Sequence, residues 1–168
     1  ALALEERMPD VHFLVCGKGL DSSNKEALRF VNRAKNPSQF HLLGIRSDMP
    51  RIYTTCTILV VTSVSEAFPL TIGESMACGT PCVATTVGDC KDIIGDTGAI
   101  IPPGNAFAIA RAWEQVLRIE PNEYEELGFR AKERIETFFS MERCVAQYEE
   151  LYSDLCPGVV ETVAPDAK

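Results

Sequence analysis

Two carboxylates eight residues apart, Glu66 and Glu74, are the residues of this sequence whose types and spacing best suit ligand chemistry. Glu74 falls inside a predicted helix, Leu70–Cys78, and Glu66 in the loop before it. Leu70 and Glu74 are four residues apart, so they share a face near the first turn of that helix. The free amides of that turn, those of Leu70 and Thr71, can hold a phosphate. A carboxylate one turn further can accept two hydrogen bonds from a vicinal diol such as ribose.

Glu66 can do the same for a sugar on the other side of the phosphates. The resulting order of diol binder, anion site and diol binder matches a nucleoside-diphosphate sugar. A simpler interpretation stays open on spacing alone, because two Glu at this distance are common and a Glu near a helix start is favoured by the helix dipole. The surrounding residues have to decide between the two interpretations.

Five short apolar segments predict the strands that position this helix. They are nearly continuous in apolar character, which indicates strands covered on both faces. Helical patterns lie between them, and this alternation predicts a doubly wound α/β sheet, mainly parallel, with helices on both faces. The segments are Val11–Cys16, Phe40–Leu43, Ile58–Thr62, Cys82–Thr85 and Ala99–Ile101.

Ligands on such sheets bind beyond the carboxyl ends of the strands. The loops expected at that edge are Gly17–Asp21, Gly44–Asp48, Ser63–Pro69 and Thr86–Asp92.

The predicted helices have recognisable ends. Gly79 and Pro81 end the helix that carries Glu74, while Asn105 and Ser140 are suited to cap the helices that follow them. Trp113 falls on an apolar helix face, so we expect it in the core. The helices are Asn24–Arg33, Pro50–Cys56, Leu70–Cys78, Ala106–Arg118, Pro121–Phe138 and Met141–Leu155.

An aromatic and aliphatic stripe on the last predicted helix is expected to pack against the domain. It consists of Val145, Tyr148, Leu151 and Tyr152. Residues 1–156 form the predicted nucleotide-sugar-binding domain, and residues 157–168 are expected to be a disordered tail.

Charge and hydropathy exclude some classes of partner. The 168 residues, one domain's length, include 16 Lys and Arg against 24 Asp and Glu, a net charge of −8. That balance argues against nucleic-acid partners and against a basic membrane-binding surface. No apolar run approaches the ~20 residues of a membrane helix.

Seven cysteines, an odd number, without an export signal indicate reduced thiols and a cytoplasmic location. Cys78 and Cys82 are close in sequence, but a zinc site needs a second close pair, and His12 and His41 are isolated. We therefore predict no metal site and small, buried cysteines. Both histidines fall inside predicted strands, where we expect them to be packed.

The segment from Ser63 to Thr85 resembles the Glu-x7-Glu signature of family 4 glycosyltransferases. In that family a Ser is followed by Glu-Gly-Phe-Gly, an apolar pair and Glu-Ala-Met-Ala-Cys-Gly-Thr-Pro-Val-Val-Ala. The resemblance extends over about residues 1–155, including the segments Pro9–Gly17, Phe40–Asp48 and Gly98–Asn105. The residues that match the signature are Glu66, Phe68, Glu74, Met76, Ala77, Cys78, Gly79, Thr80, Pro81, Val83 and Ala84.

The resemblance implies the GT-B fold, in which two Rossmann-like domains face each other, and it identifies this chain with the C-terminal, donor-binding domain. It implies a hexosyltransferase of glycan biosynthesis that uses a nucleoside-diphosphate sugar, retains anomeric configuration and needs no metal or other cofactor. The anomeric bond would break through an oxocarbenium-like state, with amide donors stabilising the charge on the departing diphosphate.

The resemblance also implies roles for single residues. Glu66 would be the catalytic residue, in contact with the donor sugar, and Glu74 would hold the ribose hydroxyls. The amides of Leu70 and Thr71 would hold the distal phosphate. The other implied binding residues flank the base or lie in the neighbouring loops, and they are Gly17, Gly44, Ile45, Arg46, Phe68 and Pro69.

Some residues differ from the family's sequence signature, and these differences bear on the implied roles. Ala67 and Pro69 stand where glycines are usual, and Pro69 removes one backbone donor from the phosphate loop. The segment Gly88–Asp92 replaces the usual Gly-Gly-x-x-Glu, which alters the expected contacts with the donor sugar. Lys18 can face the nucleotide, although a lone lysine on a loop is more often solvated.

The family's first strand of this domain, which brings an Arg and a Lys to the diphosphate, has no counterpart here, and neither has the facing acceptor domain. We expect a piece of a two-domain enzyme that does not transfer sugar alone. Between Val11–Cys16 and Ile58–Thr62 we expect either a gap in the sheet or another segment that fills it. The resemblance is compatible with a lipid-linked or carbohydrate acceptor and with a position at the inner membrane face through the missing domain.

Two other functions stay open from the sequence. One is a non-catalytic, nucleotide-binding α/β module, and the other is a GT-B-type sugar-nucleotide epimerase. An epimerase needs further acid–base residues in its cleft, which His12 and His41, inside predicted strands, do not supply.

Overall fold

The computed structural model describes residues 1–5 and 7–156, and the predicted tail lies outside them. A 3-10 turn, Pro37–Gln39, precedes the second strand. The strands are β1 (Phe13–Cys16), β2 (Phe40–Gly44), β3 (Leu59–Val61), β4 (Cys82–Thr85) and β5 (Gly98–Ile101). The helices are α1 (Leu2–Glu5), α2 (Lys25–Val31), α3 (Met49–Thr55), α4 (Leu70–Ala77), α5 (Cys90–Ile94), α6 (Ala106–Leu117), α7 (Pro121–Phe138) and α8 (Met141–Leu155).

The strands form two parallel sheets. β1 pairs with β2, with Phe13 opposite Phe40, and β3, β4 and β5 form the second sheet in that order. In the second sheet Val83 lies between Val60 and Ala99. Among the described residues no ladder joins β1 to β3, so the gap predicted between these two strands is present.

β4 lies at the centre of the core, and its side chains alternate between two apolar clusters. Cys82 and Ala84 belong to the cluster built with α4, α5 and α7, whereas Val83 belongs to the cluster built with α1 and α6. All four residues of β4 are buried, because helices cover both faces of this sheet. The prediction of a parallel α/β fold with helices on both faces is confirmed.

Side-chain packing joins the two sheets across the gap. Phe13 stacks on Phe40 with ring centroids 4.5 Å apart, and it lies 6.2 Å from the ring of Trp113. Trp113 is buried, as predicted, in the cluster that holds Leu4 and borders Val60. The two strands that border the gap, β1 and β3, are half-buried.

Two predictions about packing are wrong. Helix α8 has its predicted bounds, but it buries none of its residues, so its stripe from Val145 to Tyr152 does not pack against the domain. The helical period identifies an apolar face but not the element that covers it. His12 is exposed because β1 begins one residue later, and its Nδ1 lies 2.9 Å from Nε2 of His41.

Helix α5 is an element that the sequence analysis did not predict. Its buried residues Cys90, Ile93 and Ile94 have helical spacing, and the helix ends at Gly95, where φ is +59°. Only five residues long, it lacks the repeated period that identifies longer helices. Within the described part of the chain, no helix combines the length and the apolar character needed to span a membrane.

Candidate functional site

The loops that follow β1 and β2 are joined by backbone hydrogen bonds. The amide of Gly17 donates to the carbonyl of Gly44 over 2.8 Å, and the amide of Gly44 donates to the carbonyl of Leu20 over 2.8 Å. Gly44 is buried with a φ of +63°, a conformation that costs glycine little. Two of the predicted binding residues thus form one connected turn at the carboxyl edge of the first sheet.

Helix α4 begins at the carboxyl edge of the second sheet without a side-chain cap. Its N-cap is Pro69, which is buried and accepts one bond, from the amide of Ile72 over 3.0 Å. Within residues 1–5 and 7–156, the amides of Leu70 and Thr71 have no acceptor. Both residues are exposed. Unpaired amides at the positive end of a helix dipole suit this turn to an anion.

The other end of α4 is fixed in the core. Met76 is fully buried, and the chain leaves the helix at Gly79, where φ is +77°. The hydroxyl of Ser75 donates to the carbonyl of Thr80 over 3.2 Å, and the amide of Thr80 donates back to the carbonyl of Ser75 over 3.0 Å. Leu70 and Thr71 are therefore exposed at the start of a helix whose other end is fixed in the core.

Glu74 lies one turn into α4, with its side chain exposed. The phenol of Tyr53, on α3, donates to its Oε2 over 2.8 Å. Tyr53 is buried, and this burial, followed by the hydrogen bond to Glu74 and its negative charge, raises the pKa of the phenol far above its usual range. The phenol therefore keeps its proton and donates a hydrogen bond to Glu74. Among the described residues, Oε1 of Glu74 has no hydrogen-bond partner.

Glu66 is held in its loop by two successive hydrogen bonds. Its Oε1 accepts from the hydroxyl of Ser63 over 2.6 Å. The carbonyl of Ser63 in turn accepts from the hydroxyl of Thr85, at the end of β4, over 2.6 Å. Glu66 remains exposed. The carboxylate is thus oriented from the sheet edge and is still accessible to a ligand.

Gly88 lies directly against the backbone of the Glu66 loop. The amide of Asp89 donates to the carbonyl of Ala67 over 2.9 Å. A Cβ on Gly88 would lie 2.3 Å from the carbonyl oxygen of Ala67 and 2.5 Å from that of Glu66, and φ is +49°. Because such contacts are too short for any side chain, glycine is required here. The segment Gly88–Asp92, which differs from the family's sequence signature, thus supports the loop that carries Glu66.

Arg46, predicted to flank a base, is engaged within the chain. Its guanidinium makes a two-pronged ion pair with Asp48, at 2.8 and 2.7 Å. This bond raises the pKa of Arg46 and lowers the pKa of Asp48. Ile45 is 76% exposed, and Lys18 is exposed as well. The predicted role of Ile45 and Arg46 beside the base stays a prediction.

Phe68 packs its loop against the junction of α7 and α8. Its ring lies 6.1 Å from the ring of Phe139, and the side chain keeps 46% of its surface exposed. Both flanks of the Glu66 loop are therefore attached to other elements, at Phe139 on one side and at Gly88 on the other.

Tyr53, Ser63 and Gly88 are site residues that the sequence analysis did not assign. Tyr53 and Glu74 are 21 residues apart and meet only through the packing of α3 on α4, so sequence spacing carries no signal for this pair. Gly88 did carry a signal, because a glycine next to a polar residue after a strand marks a turn with positive φ.

Side chains that could bind a metal ion do not converge within residues 1–5 and 7–156, where no three His, Cys, Asp or Glu come together. All seven cysteines are free thiols. Cys82 and Cys90 are buried, as predicted, whereas Cys144 and Cys156 on or after α8 are exposed, which the sequence analysis did not expect. The histidine pair lies near the amino ends of β1 and β2.

Comparison with known proteins identifies relatives over most of the chain. Residues 1–118 match the model of the family described as "Glycosyl transferases group 1". The N-acetyl-alpha-D-glucosaminyl L-malate synthase of Bacillus anthracis is 30% identical over 148 residues, which is 87% of this chain and 38% of that protein. The chain thus spans about two fifths of the length of this relative.

Solved structures resemble the fold over nearly the whole chain. A glycosyltransferase from Rickettsia africae superposes with a TM-score of 0.83 and 22% identity, over 93% of this chain and 43% of that one. Anabaena HepE, solved in complex with UDP, gives a TM-score of 0.80 and 23% identity, over 90% of this chain and 43% of that one. At these identities the likeness establishes the fold.

Proposed function

The chain belongs to the group 1 glycosyl transferases, and we propose on this premise that it binds the nucleoside-diphosphate-sugar donor of a retaining sugar transfer. The chain covers about two fifths of the relatives described above. We therefore assign donor binding to these residues and expect the acceptor to be bound by other parts of a longer enzyme.

The first turn of α4 is the observation that carries the proposal. Two free amides, at Leu70 and Thr71, stand at the positive end of the helix, with the exposed carboxylate of Glu74 one turn further and that of Glu66 in the preceding loop. An anion site between two carboxylates fits a ligand with a diphosphate between two sugars. A nucleotide sugar offers matching groups in the same order, namely ribose, diphosphate and sugar.

In the proposed complex each group has one task. Glu74 accepts hydrogen bonds from the ribose hydroxyls, and the amides of Leu70 and Thr71 hold the distal phosphate. Glu66 contacts the donor sugar, where positive charge develops as the anomeric bond breaks. The same amides then stabilise the negative charge that collects on the departing diphosphate. The net charge of −8 makes this local positive potential important, since the protein as a whole repels an anion.

Calorimetric titration of the 168-residue chain with UDP, GDP and ADP tests the proposal. We expect at least one of them to bind, and Glu74→Ala to weaken that binding about tenfold, because a charge-assisted pair of hydrogen bonds to the ribose is lost. Sugar transfer by this chain alone is expected to be undetectable.

Glu125→Ala is the matched control, since Glu125 is also an exposed helical glutamate but lies on α7. It should bind the nucleotide as the unmodified chain does. The proposal fails if none of the three nucleotides binds, or if Glu74→Ala and Glu125→Ala have the same affinity.

A further inference from the structure

Tyr53 has no role in the donor binding proposed above, but it is hydrogen-bonded to Glu74, which has one. Its side chain is 3% exposed, and its hydroxyl reaches Oε2 of Glu74, which is exposed. A buried phenol of this kind needs an acceptor, because an unpaired hydroxyl in the core is costly. Here the acceptor is a carboxylate on the protein surface, so the bond joins the core to the ligand-binding face.

The backbone of Tyr53 is fixed as firmly as its hydroxyl. Its carbonyl accepts from the hydroxyl of Thr80 over 2.8 Å, and Thr80 is 2% exposed. Thr80 is in turn bonded to Ser75 of α4. Hydrogen bonds thus join Tyr53 of α3 to Glu74 within α4 and to Thr80 after the end of α4. The backbone that carries the phenol therefore cannot shift without disturbing the core.

A glutamate on a helix surface normally samples several rotamers, and a ligand that binds it has to restrict them. The bond from Tyr53 removes part of this freedom in advance. It occupies one lone pair of Oε2 and leaves Oε1 and a second lone pair open. Two adjacent hydroxyls of a ligand can use these remaining sites only when the plane of the carboxylate is set.

We propose that Tyr53 is a positioning residue, which orients the Glu74 carboxylate so that it receives both hydroxyls of the donor's ribose. This role rests on the proposed function. It predicts that removing the phenol lowers the preference for a ribose diol and does not change the affinity for the rest of the nucleotide.

The test compares two ligands on the 168-residue chain by calorimetry. One is whichever of UDP, GDP and ADP binds most tightly, and the other is its 2′,3′-dideoxy analogue, which offers Glu74 no hydroxyl. For Tyr53→Phe we expect the dissociation constant of the dideoxy analogue, divided by that of the ribonucleotide, to fall about fivefold, which corresponds to the cost of ordering one side chain on binding. The affinity for the dideoxy analogue should stay unchanged.

Tyr124→Phe is the matched control, because the hydroxyl of Tyr124 also donates inside the chain, to the carbonyl of Thr57 over 2.9 Å. It should keep the full ribose preference. Tyr53→Phe retains the buried ring, and thermal unfolding checks that it folds. In a Glu74→Gln background, Tyr53→Phe should cause no further loss of preference.

The outcomes separate this proposal from the proposed function. If the unmodified chain prefers ribose and Tyr53→Phe keeps that preference, or weakens both ligands equally, Tyr53 has no positioning role while the proposed function stands. If the unmodified chain binds neither ligand, or binds both alike, the ribose role of Glu74 is wrong and the role of Tyr53 falls with it.

Discussion

The two ends of α4 differ in burial and in hydrogen bonding. Met76, in the second half, is fully buried, and the segment that follows is fixed by hydrogen bonds between Ser75 and Thr80. Leu70, in the first half, is 67% exposed, and its amide is one of two that find no acceptor in the described chain. The carboxyl end of the helix is thus anchored in the core, and the first two amides at its amino end are left free for a ligand. The amides at the start of a helix can thus remain without hydrogen-bond partners because the other end of the same helix is anchored in the core.

Truncation of one apolar side chain in each half gives the largest expected difference. Met76→Ala should lower the free energy of unfolding by about 3 kcal/mol, because it removes buried contacts and leaves a cavity. Leu70→Ala, at the exposed end, should change it by less than about 0.5 kcal/mol. Urea denaturation of both variants measures the two values. Equal losses would show that the two halves are not distinct.

The glycine that receives the end of α4 gives the next largest effect. A Cβ on Gly128 of α7 would lie 2.5 Å from the carbonyl oxygen of Gly79. Since that oxygen belongs to the backbone, Gly128→Ala has to push the two helices apart, at a cost of about 1–3 kcal/mol in the free energy of unfolding. A variant as stable as the unmodified chain in the same denaturation experiment would contradict the tight packing of this end.

The same substitution at the free face of α4 should have the opposite sign. Gly73 is helical, and a Cβ placed there meets nothing within 4 Å. Gly73→Ala should therefore raise the free energy of unfolding by about 0.5–1 kcal/mol, because alanine loses less backbone entropy in a helix. Thermal unfolding at matched pH measures the gain. A loss would mean that the face of α4 next to Glu74 is packed rather than open.

The fold and the elements that carry the candidate site could be predicted from local patterns. Continuous apolar runs predicted the strands, and Asn105 and Ser140 cap α6 and α8 as expected, with side chains that accept from Ala108 and Arg143. The bounds of α7 agree residue for residue with the prediction. These features depend on residues that are close in sequence, so a pattern over a few residues contains them.

Contacts between distant residues could not be predicted in this way. The bond from Tyr53 to Glu74 depends on how two helices pack, and the ion pair of Arg46 with Asp48 depends on a loop conformation. The exposed stripe of α8 shows the same limit, because an amphipathic pattern predicts an apolar face but does not identify an element that packs against it. Roles assigned by family resemblance to Glu66 and Glu74 are compatible with their exposure and remain for experiment to test.

The gap between the two sheets bears on the cooperativity of the protein. Because the ladder of β1 and β2 shares no hydrogen bond with the ladder of β3, β4 and β5, either can open without breaking the other's backbone pairing. Apolar contacts, such as that of Phe13 with Trp113, connect the two sheets through side chains. The turn of Gly17 and Gly44 belongs to one ladder, and the start of α4 follows the other. A ligand that contacts both the turn and the start of α4 would therefore link the two ladders. Local unfolding of either ladder would then be opposed by the other.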